Sequence, residues 1–554
     1  MGNSSTITIV KQFFDSEKNR ILLLLLLSGS IFLLNLDGWD LWNPDEPRYA
    51  QVAREMRDTG EWVLPHLNSE VYPDKPPLFF WLIAFFSFLT GGVTEVSARL
   101  PSALASVGCI LLTYFMGKQL FDARAGLLAS IILMTNSEFF WLGRRANIDM
   151  TLTLLVMLAI TFFYLGLQEE KRSRWFHFVP YLFMGLGVLA KGPVGFLLPL
   201  LSIITYLGVT KNLKHLKRIR IAWGMLLFAG IVVAWVIPAC IKGGEAYTRE
   251  ILLQQNVERF ADAWNHQQPF YYYFYTFPAG FVPWILLLPG AFIWGFSKKE
   301  REHRSSFYFP FCWFLAIFVF FSLSTSKREL YILPLYPAAS IMIGGFLSHL
   351  MQSSRADLPF KSLVLAFYFL GGVFVFGGLA SCIFPFIKTP VSGILHFFPH
   401  IFFLTLVFIF GGCMTILAMR KRKLLASFIM VVIVMVASSY DAIGVVLPKI
   451  NYFKSARPLS ESIIRHLPAG KELIAYGVKL APFNFYTGLN NIKEIPTFEA
   501  LVPCFNSPST GLVLIMERDV KRLQEQSLLP EDFQIVDKGT IGHRAFVVLS
   551  RKGV

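Results

Sequence analysis

Two carboxylates and an arginine crowd into Asp45-Glu46-Pro47-Arg48, directly after the first long apolar run of the chain. Ionised groups at the edge of a bilayer are costly, so their presence points to a use. A carboxylate there can take a proton from an acceptor hydroxyl or orient a cation, and an arginine can grip a phosphate through paired hydrogen bonds. The same residue types recur along the chain. They are Lys75 in Tyr72-Pro73-Asp74-Lys75-Pro76-Pro77, then Arg144 and Arg145, Asp149, and Lys191 in Ala190-Lys191-Gly192-Pro193. Arg259, His266 in Asn265-His266-Gln267-Gln268-Pro269, and the pair Lys327 and Arg328 follow. Any one of these cations would be read as snorkelling to lipid phosphates; the set suits an anionic headgroup such as a phosphate diester. Asp45, Glu46 and Asp149 also fit a plainer role as acids favouring a helix N-terminus.

The elements that must position these groups follow from local pattern. Asn43 reads as an N-cap, Pro44 as the first helical residue, and Glu46 sits at the capping-box spacing. Tyr49, Val52, Ala53 and Met56 then recur at helical intervals as far as Gly60. The pattern predicts an amphipathic helix over 44–58 lying along the membrane surface with its acidic end aimed at a ligand. Lys191-Gly192-Pro193 separates two apolar runs, so one helix should end and another begin there. Such a broken pair at membrane depth commonly lines a cavity.

Of 554 residues 54% are hydrophobic and only 16% charged, which excludes a soluble globular chain and indicates a polytopic helical membrane protein. The formal charge of +15 does not point to nucleic acid, because Lys and Arg cluster in short loops between apolar runs, the positive-inside pattern. Reading runs from 21–36 to 424–447 against those loops predicts about thirteen transmembrane helices. The N-terminus is then cytoplasmic and the first loop, 37–98, external. The short apolar run 77–90 is left on the outer surface as a second interfacial helix. Domain boundaries follow at 1–449 for the membrane domain and 450–554 for a soluble α/β domain. In that domain Glu472–Gly477, Gly511–Met516, Phe533–Val536 and Ala545–Leu549 read as strands, with helices near 457–467 and 518–526. The six cysteines are scattered and suggest neither a disulfide framework nor a metal site.

Asp45-Glu46-Pro47-Arg48-Tyr49, Lys75-Pro76, Lys191-Gly192 and His266-Gln267-Gln268-Pro269-Phe270-Tyr271 resemble, in this order, the motifs of the bacterial aminoarabinose (4-amino-4-deoxy-L-arabinose) lipid A transferases. These fall within the polyprenyl-phosphate-dependent membrane glycosyltransferases of the GT-C fold, which also include the protein O-mannosyltransferases. The resemblance implies a monomeric inner-membrane enzyme whose site and C-terminal domain face the periplasm. It implies transfer of a sugar, with inversion, from undecaprenyl phosphate to lipid A. Asp45, Asp149 and Glu46 resemble the catalytic acidic positions. Arg48, Lys75, Lys191 and Arg259 resemble the phosphate-handling cations, and Tyr49, Tyr72, His266 and Tyr331 the residues lining the same cavity. Pro76-Pro77-Leu78 departs toward broader relatives, which leaves the sugar and the acceptor open.

The residues suit this chemistry by themselves. A departing phosphate monoester gains negative charge that lysines and arginines stabilise. A hydroxyl acceptor would need Asp45 as general base. An ionised phosphate would not, leaving Asp45 to orient the acceptor or an aminosugar's amino group. No cofactor is required; a divalent metal between Asp45 and Asp149 would find oxygen ligands of the right kind, without a compact metal motif. The rival readings are a protein O-glycosyltransferase using the same donor, another glycolipid acceptor, and a non-enzymatic lipid or solute transporter.

Overall fold

The structure is a computed structural model and describes residues 16–168, 176, 178–213, 221–252, 266–297, 301–352, 358–383 and 398–552. The thirteen expected apolar runs are mostly helical in their described parts, with breaks at 135–136 and 281–283. By length and composition, eight helices among the described residues can cross a membrane, or ten if two bent pairs each form one span. The bent pairs are Ala123–Met134 with Ser137–Gly143, at 68°, and Tyr272–Gly280 with Trp284–Gly295, at 109°. Val179–Lys191 and Val194–Val209 are shorter apolar helices, so a full count of thirteen crossings stays an expectation. The second interfacial segment is the helix Leu78–Ser87.

Contacts divide the chain into two compact units. The larger comprises Met1–Asn35, Asp74–Leu78 and Pro101–Val446, and the smaller Leu36–Pro73, Phe79–Leu100 and Leu447–Val554. Most of the first loop therefore clusters with the C-terminal domain.

In the larger unit, small residues let helices approach closely where a turn must be tight. Gly192 has φ 84° and ψ −158°, a conformation open to glycine. It ends the helix Val179–Lys191 just before Val194–Val209 begins. A Cβ at Gly195 would overlap the Gly187 backbone, so the two half-helices can fold against each other only with glycines at both positions. This expected break is the feature that places Lys191 at a helix terminus.

In the smaller unit, a five-stranded mixed sheet has the order β4-β3-β5-β7-β6. Its strands are β3 (Glu472–Tyr476), β4 (Lys493–Ile495), β5 (Thr510–Met516), β6 (Phe533–Ile541) and β7 (Arg544–Arg551). β3 pairs in parallel with β4 and β5, and β7 runs antiparallel to β5 and β6. Leu473, Leu512 and Val548 face one apolar layer, and Ile474, Val513 and Leu549 the other. Four of these strands match the sequence reading. β4 and the helices Ala481–Thr487 and Phe498–Phe505 were not foreseen, because each is short and interrupted by polar or proline residues. The first loop contributes a hairpin, β1 (His66–Leu67) and β2 (Glu70–Val71), turning through Asn68 and Ser69 at φ 58° and 64°.

The expected helix over 44–58 is observed as Glu46–Thr59 with Asp45 at its N-cap. Asn43 is not the cap, and no side chain caps this terminus. The capping box fails because the Glu46 carboxylate is engaged elsewhere, as described below. Burial on this helix extends beyond its apolar stripe: Gln51 and Glu55 are as buried as Tyr49 and Val52.

Candidate active site

Seven of the predicted site residues fall into two clusters, one in each unit. In the smaller unit, Asp45, Arg48, Tyr49 and Tyr72 come together. The Arg48 guanidinium donates to Asp45 Oδ1 at 2.6 Å, one helical turn away. It also lies 5.4 Å from the Tyr49 ring centroid and 6.0 Å from that of Tyr72, within cation–π range. Tyr49 and Tyr72 both pack on Phe80. Asp45 is thus a mostly buried carboxylate with its charge balanced by one arginine and an aromatic wall behind it.

Glu46, the next residue, is fully buried and faces elsewhere. Its Oε1 accepts from Arg99 Nε at 2.9 Å, and its Oε2 from Arg99 Nη2 at 3.3 Å and from the Trp42 backbone N–H at 3.1 Å. Arg99 is itself fully buried in the helix Glu95–Leu120 and donates further to the carbonyls of Leu36, Trp39 and Asp40 at 2.6, 2.8 and 2.8 Å. Its guanidinium stacks on Trp39 at 4.6 Å. One side chain therefore ties the whole Leu36–Glu46 turn. Arg99 escaped the sequence reading, yet an arginine at the first position of an apolar run was the available signal.

In the larger unit, Asp149, Lys191 and Tyr331 converge. Asp149 lies in the first turn of the helix Ile148–Gln168, and its carboxylate accepts from Lys191 Nζ. The same ammonium sits 4.2 Å from the centroid of the Tyr331 ring. The two charged side chains are 14% and 6% exposed, so the pair is shielded but reachable.

Lys75, half-buried, donates to the Asp74 carbonyl at 2.9 Å. His266 is exposed at φ 60°, and its carbonyl accepts from the Lys327 backbone N–H at 3.0 Å. Gln267 and Ser326 form an antiparallel bridge, which makes the His-Gln-Gln stretch a short ribbon on Thr325–Lys327. Arg259 lies outside the described residues.

Lys327 and Arg144 carry no ligand-facing role in this geometry. Lys327 Nζ donates to Gln268 O at 3.0 Å and to Ser324 O, and burial holds its ammonium below the usual lysine range. Replacing Lys327 by methionine orphans both carbonyls and should lower stability by about 1–3 kcal/mol. Thermal unfolding in detergent reads this; an unchanged midpoint would remove Lys327 from the ribbon's support. Arg144 is buried on the carbonyls of Ile31, Leu34 and Asn35, so it caps the end of the first span instead of facing a headgroup.

Among the described residues no three metal-ligating side chains stand together, and Asp149 is already engaged by Lys191.

Residues 74–238 match a family model described as dolichyl-phosphate-mannose-protein mannosyltransferase. The chain is 31% identical over 348 residues to the undecaprenyl phosphate-alpha-4-amino-4-deoxy-L-arabinose arabinosyl transferase of Pectobacterium carotovorum, covering 60% of each protein. It thus spans less than two thirds of the length of the first curated relatives it matches. An uncharacterised protein of Aquifex aeolicus is 29% identical over 460 residues, covering 82% of this chain and 84% of the relative. The crystal structure of ArnT from Cupriavidus metallidurans bound to undecaprenyl phosphate superposes with a TM-score of 0.78 at 22% identity, over 96% of this chain and 98% of that one. That likeness establishes the fold. In sequence the chain is similar to the arabinosyl transferases over about three fifths of its length, and in fold to ArnT over nearly all of it.

Proposed function

We propose that this chain is an inner-membrane glycosyltransferase that moves 4-amino-4-deoxy-L-arabinose from undecaprenyl phosphate to a phosphate of lipid A at the periplasmic face, with inversion. The observation that carries the reading is Lys191, an ammonium held at a helix break by Asp149 and covered by Tyr331. In the transfer, an acceptor phosphate oxygen bonds to the anomeric carbon as the bond from that carbon to the carrier phosphate breaks. The electron pair leaves with undecaprenyl phosphate, which gains a negative charge that Lys191 stabilises, assisted by Lys75 and Arg259. Asp149 sets the ammonium's position. Arg48 receives a second anionic group, and Asp45 holds the sugar's amino group or the acceptor, since an ionised phosphate needs no base. Tyr49, Tyr72 and His266 shape the surroundings of the sugar. Glu46, saturated by Arg99 and Trp42, holds the turn and does not touch substrate.

The test is mass spectrometry of lipid A from cells with the protein, without it, and with Lys191→Met. Loss of a pentosamine mass without the protein, and about a hundredfold slower addition with Lys191→Met, is the expected result. Unchanged lipid A in all three strains would sink the acceptor assignment and turn the search to glycoproteins, as the mannosyltransferase family match would suggest.

A further inference from the structure

The role of the C-terminal α/β domain is not accounted for by any chemistry in its sheet. The stretch Asn484–Ile492 makes a dense set of hydrogen bonds to the first loop. The β1–β2 hairpin turns through Asn68 and Ser69, both left-handed. Asn68 Oδ1 accepts from Asn484 Nδ2 at 2.8 Å and from the Ile492 backbone N–H at 2.7 Å. Asn68 Nδ2 donates to Ile492 O at 2.9 Å, and Ser69 Oγ to Asn490 O at 2.8 Å. From the helix side, Glu55 accepts from the backbone N–H groups of both turn residues at 2.8 and 2.9 Å. Gln51 donates both to Glu55 and to Asn490. Arg54 donates to Phe485 O at 2.6 Å and stacks on that ring at 4.1 Å. The tip of the hairpin is therefore clasped from two sides, by Glu55 of the helix and by Asn484, Asn490 and Ile492 of the C-terminal domain.

The hairpin leads directly to the site. Tyr72 follows β2, and its N–H donates back to Pro65 O at 2.8 Å, so the register of the hairpin fixes where Tyr72 stands. Tyr72 is buried beside Arg48 and Phe80. We infer that the C-terminal domain acts as the clasp that holds the β1–β2 hairpin, with Asn68 as the positioning residue through which it sets Tyr72 for the lipid-linked sugar. This rests on the donor chemistry proposed above. It explains why a domain without catalytic groups is built against a loop that carries several: a two-residue hairpin of two-residue strands cannot hold its own register in water.

Asn68→Gly tests it, because glycine keeps the left-handed backbone at no steric cost and removes only the clasp. In the whole chain, Asn68→Gly removes three hydrogen bonds and should raise KM for the lipid-linked sugar about tenfold with kcat within about twofold. Asn68→Asp, which keeps both accepted bonds but sets a carboxylate oxygen against the Ile492 carbonyl, should restore only part of it, and Ser69→Gly should show the same shift more weakly. On a Tyr72→Ala background, Asn68→Gly should change KM by less than about twofold, because the clasp acts through Tyr72. Hydrogen exchange gives a readout independent of activity: the Tyr72 amide should exchange faster in Asn68→Gly while β5 stays protected. An unchanged Tyr72 amide, or an equal KM effect on the Tyr72→Ala background, overturns the inference. Faster exchange in a protein that transfers no pentosamine would leave the clasp standing and defeat the donor assignment instead.

Discussion

Replacing Asp45 by asparagine is expected to slow transfer about a thousandfold and to leave the protein folded. The shape of the side chain is kept and its charge removed, so the effect isolates electrostatics. Stability should change by less than about 1 kcal/mol, since Asp45 and Arg48 form a partly exposed pair one turn apart on a helix. Arg48 also keeps its two tyrosine faces. The size of the kinetic loss follows from what Asp45 would face. If it holds the ammonium of the aminosugar, the neutral amide leaves a cation without its partner in a shielded site. The two possible roles separate with an N-acylated donor, which has no ammonium. Asp45→Asn should then be nearly as active as wild type on that donor, whereas a general base would be missed equally on both. Transfer within about tenfold of wild type on the amino donor would remove Asp45 from the reaction.

How much of this was legible beforehand depends on whether a residue's partner is near in sequence. Asp45, Arg48 and Tyr49 share one turn of helix, and their grouping could be read from spacing alone. The break at Lys191-Gly192-Pro193 was equally plain, because glycine and proline punctuate the backbone locally. The partners of Lys191 are another matter. Asp149 was a candidate by type and Tyr331 by the family resemblance, but only the fold brings them onto one ammonium. Arg144 shows the opposite failure. By type and topology it counted among the headgroup cations, yet three carbonyls at the end of the first span consume it. The grouping of the first loop with Leu447–Val554 was invisible for a physical reason. It rests on Asn, Gln and Ser side chains and on Arg457 with Asp40 and Glu95, paired across roughly 360 to 440 residues of chain, and such scattered polar residues carry no periodic signal.

The largest expected effect on folding comes from Arg99→Met. The guanidinium spends its donors on Glu46 and on three backbone carbonyls, with none of its surface exposed. Removing it takes the paired cation from Glu46, a buried carboxylate, and breaking a buried pair in this way costs about 3–5 kcal/mol. The carbonyls of Leu36, Trp39 and Asp40 lose a partner as well, at about 1–3 kcal/mol each before water or relaxation reclaims part of it. Against a typical total of about 5–15 kcal/mol, the sum is enough to unfold the smaller unit. Two further variants tell which loss dominates. Glu46→Gln still accepts from Arg99 and should be the mildest. Arg99→Met with Glu46→Met removes the stranded charge but not the orphaned carbonyls, so it should recover only part of the stability. The expected order of thermal midpoints is wild type, Glu46→Gln, the double variant, then Arg99→Met. Full recovery in the double variant would mean that the carbonyls matter little and the charge alone is at stake. Activity separates position from chemistry in the same set, because Asp45 is the neighbour of Glu46 in the chain. If Glu46 only holds the turn, Glu46→Gln should keep at least about a tenth of wild-type transfer. If it touches substrate as a catalytic acid, the same change should cost as much as Asp45→Asn.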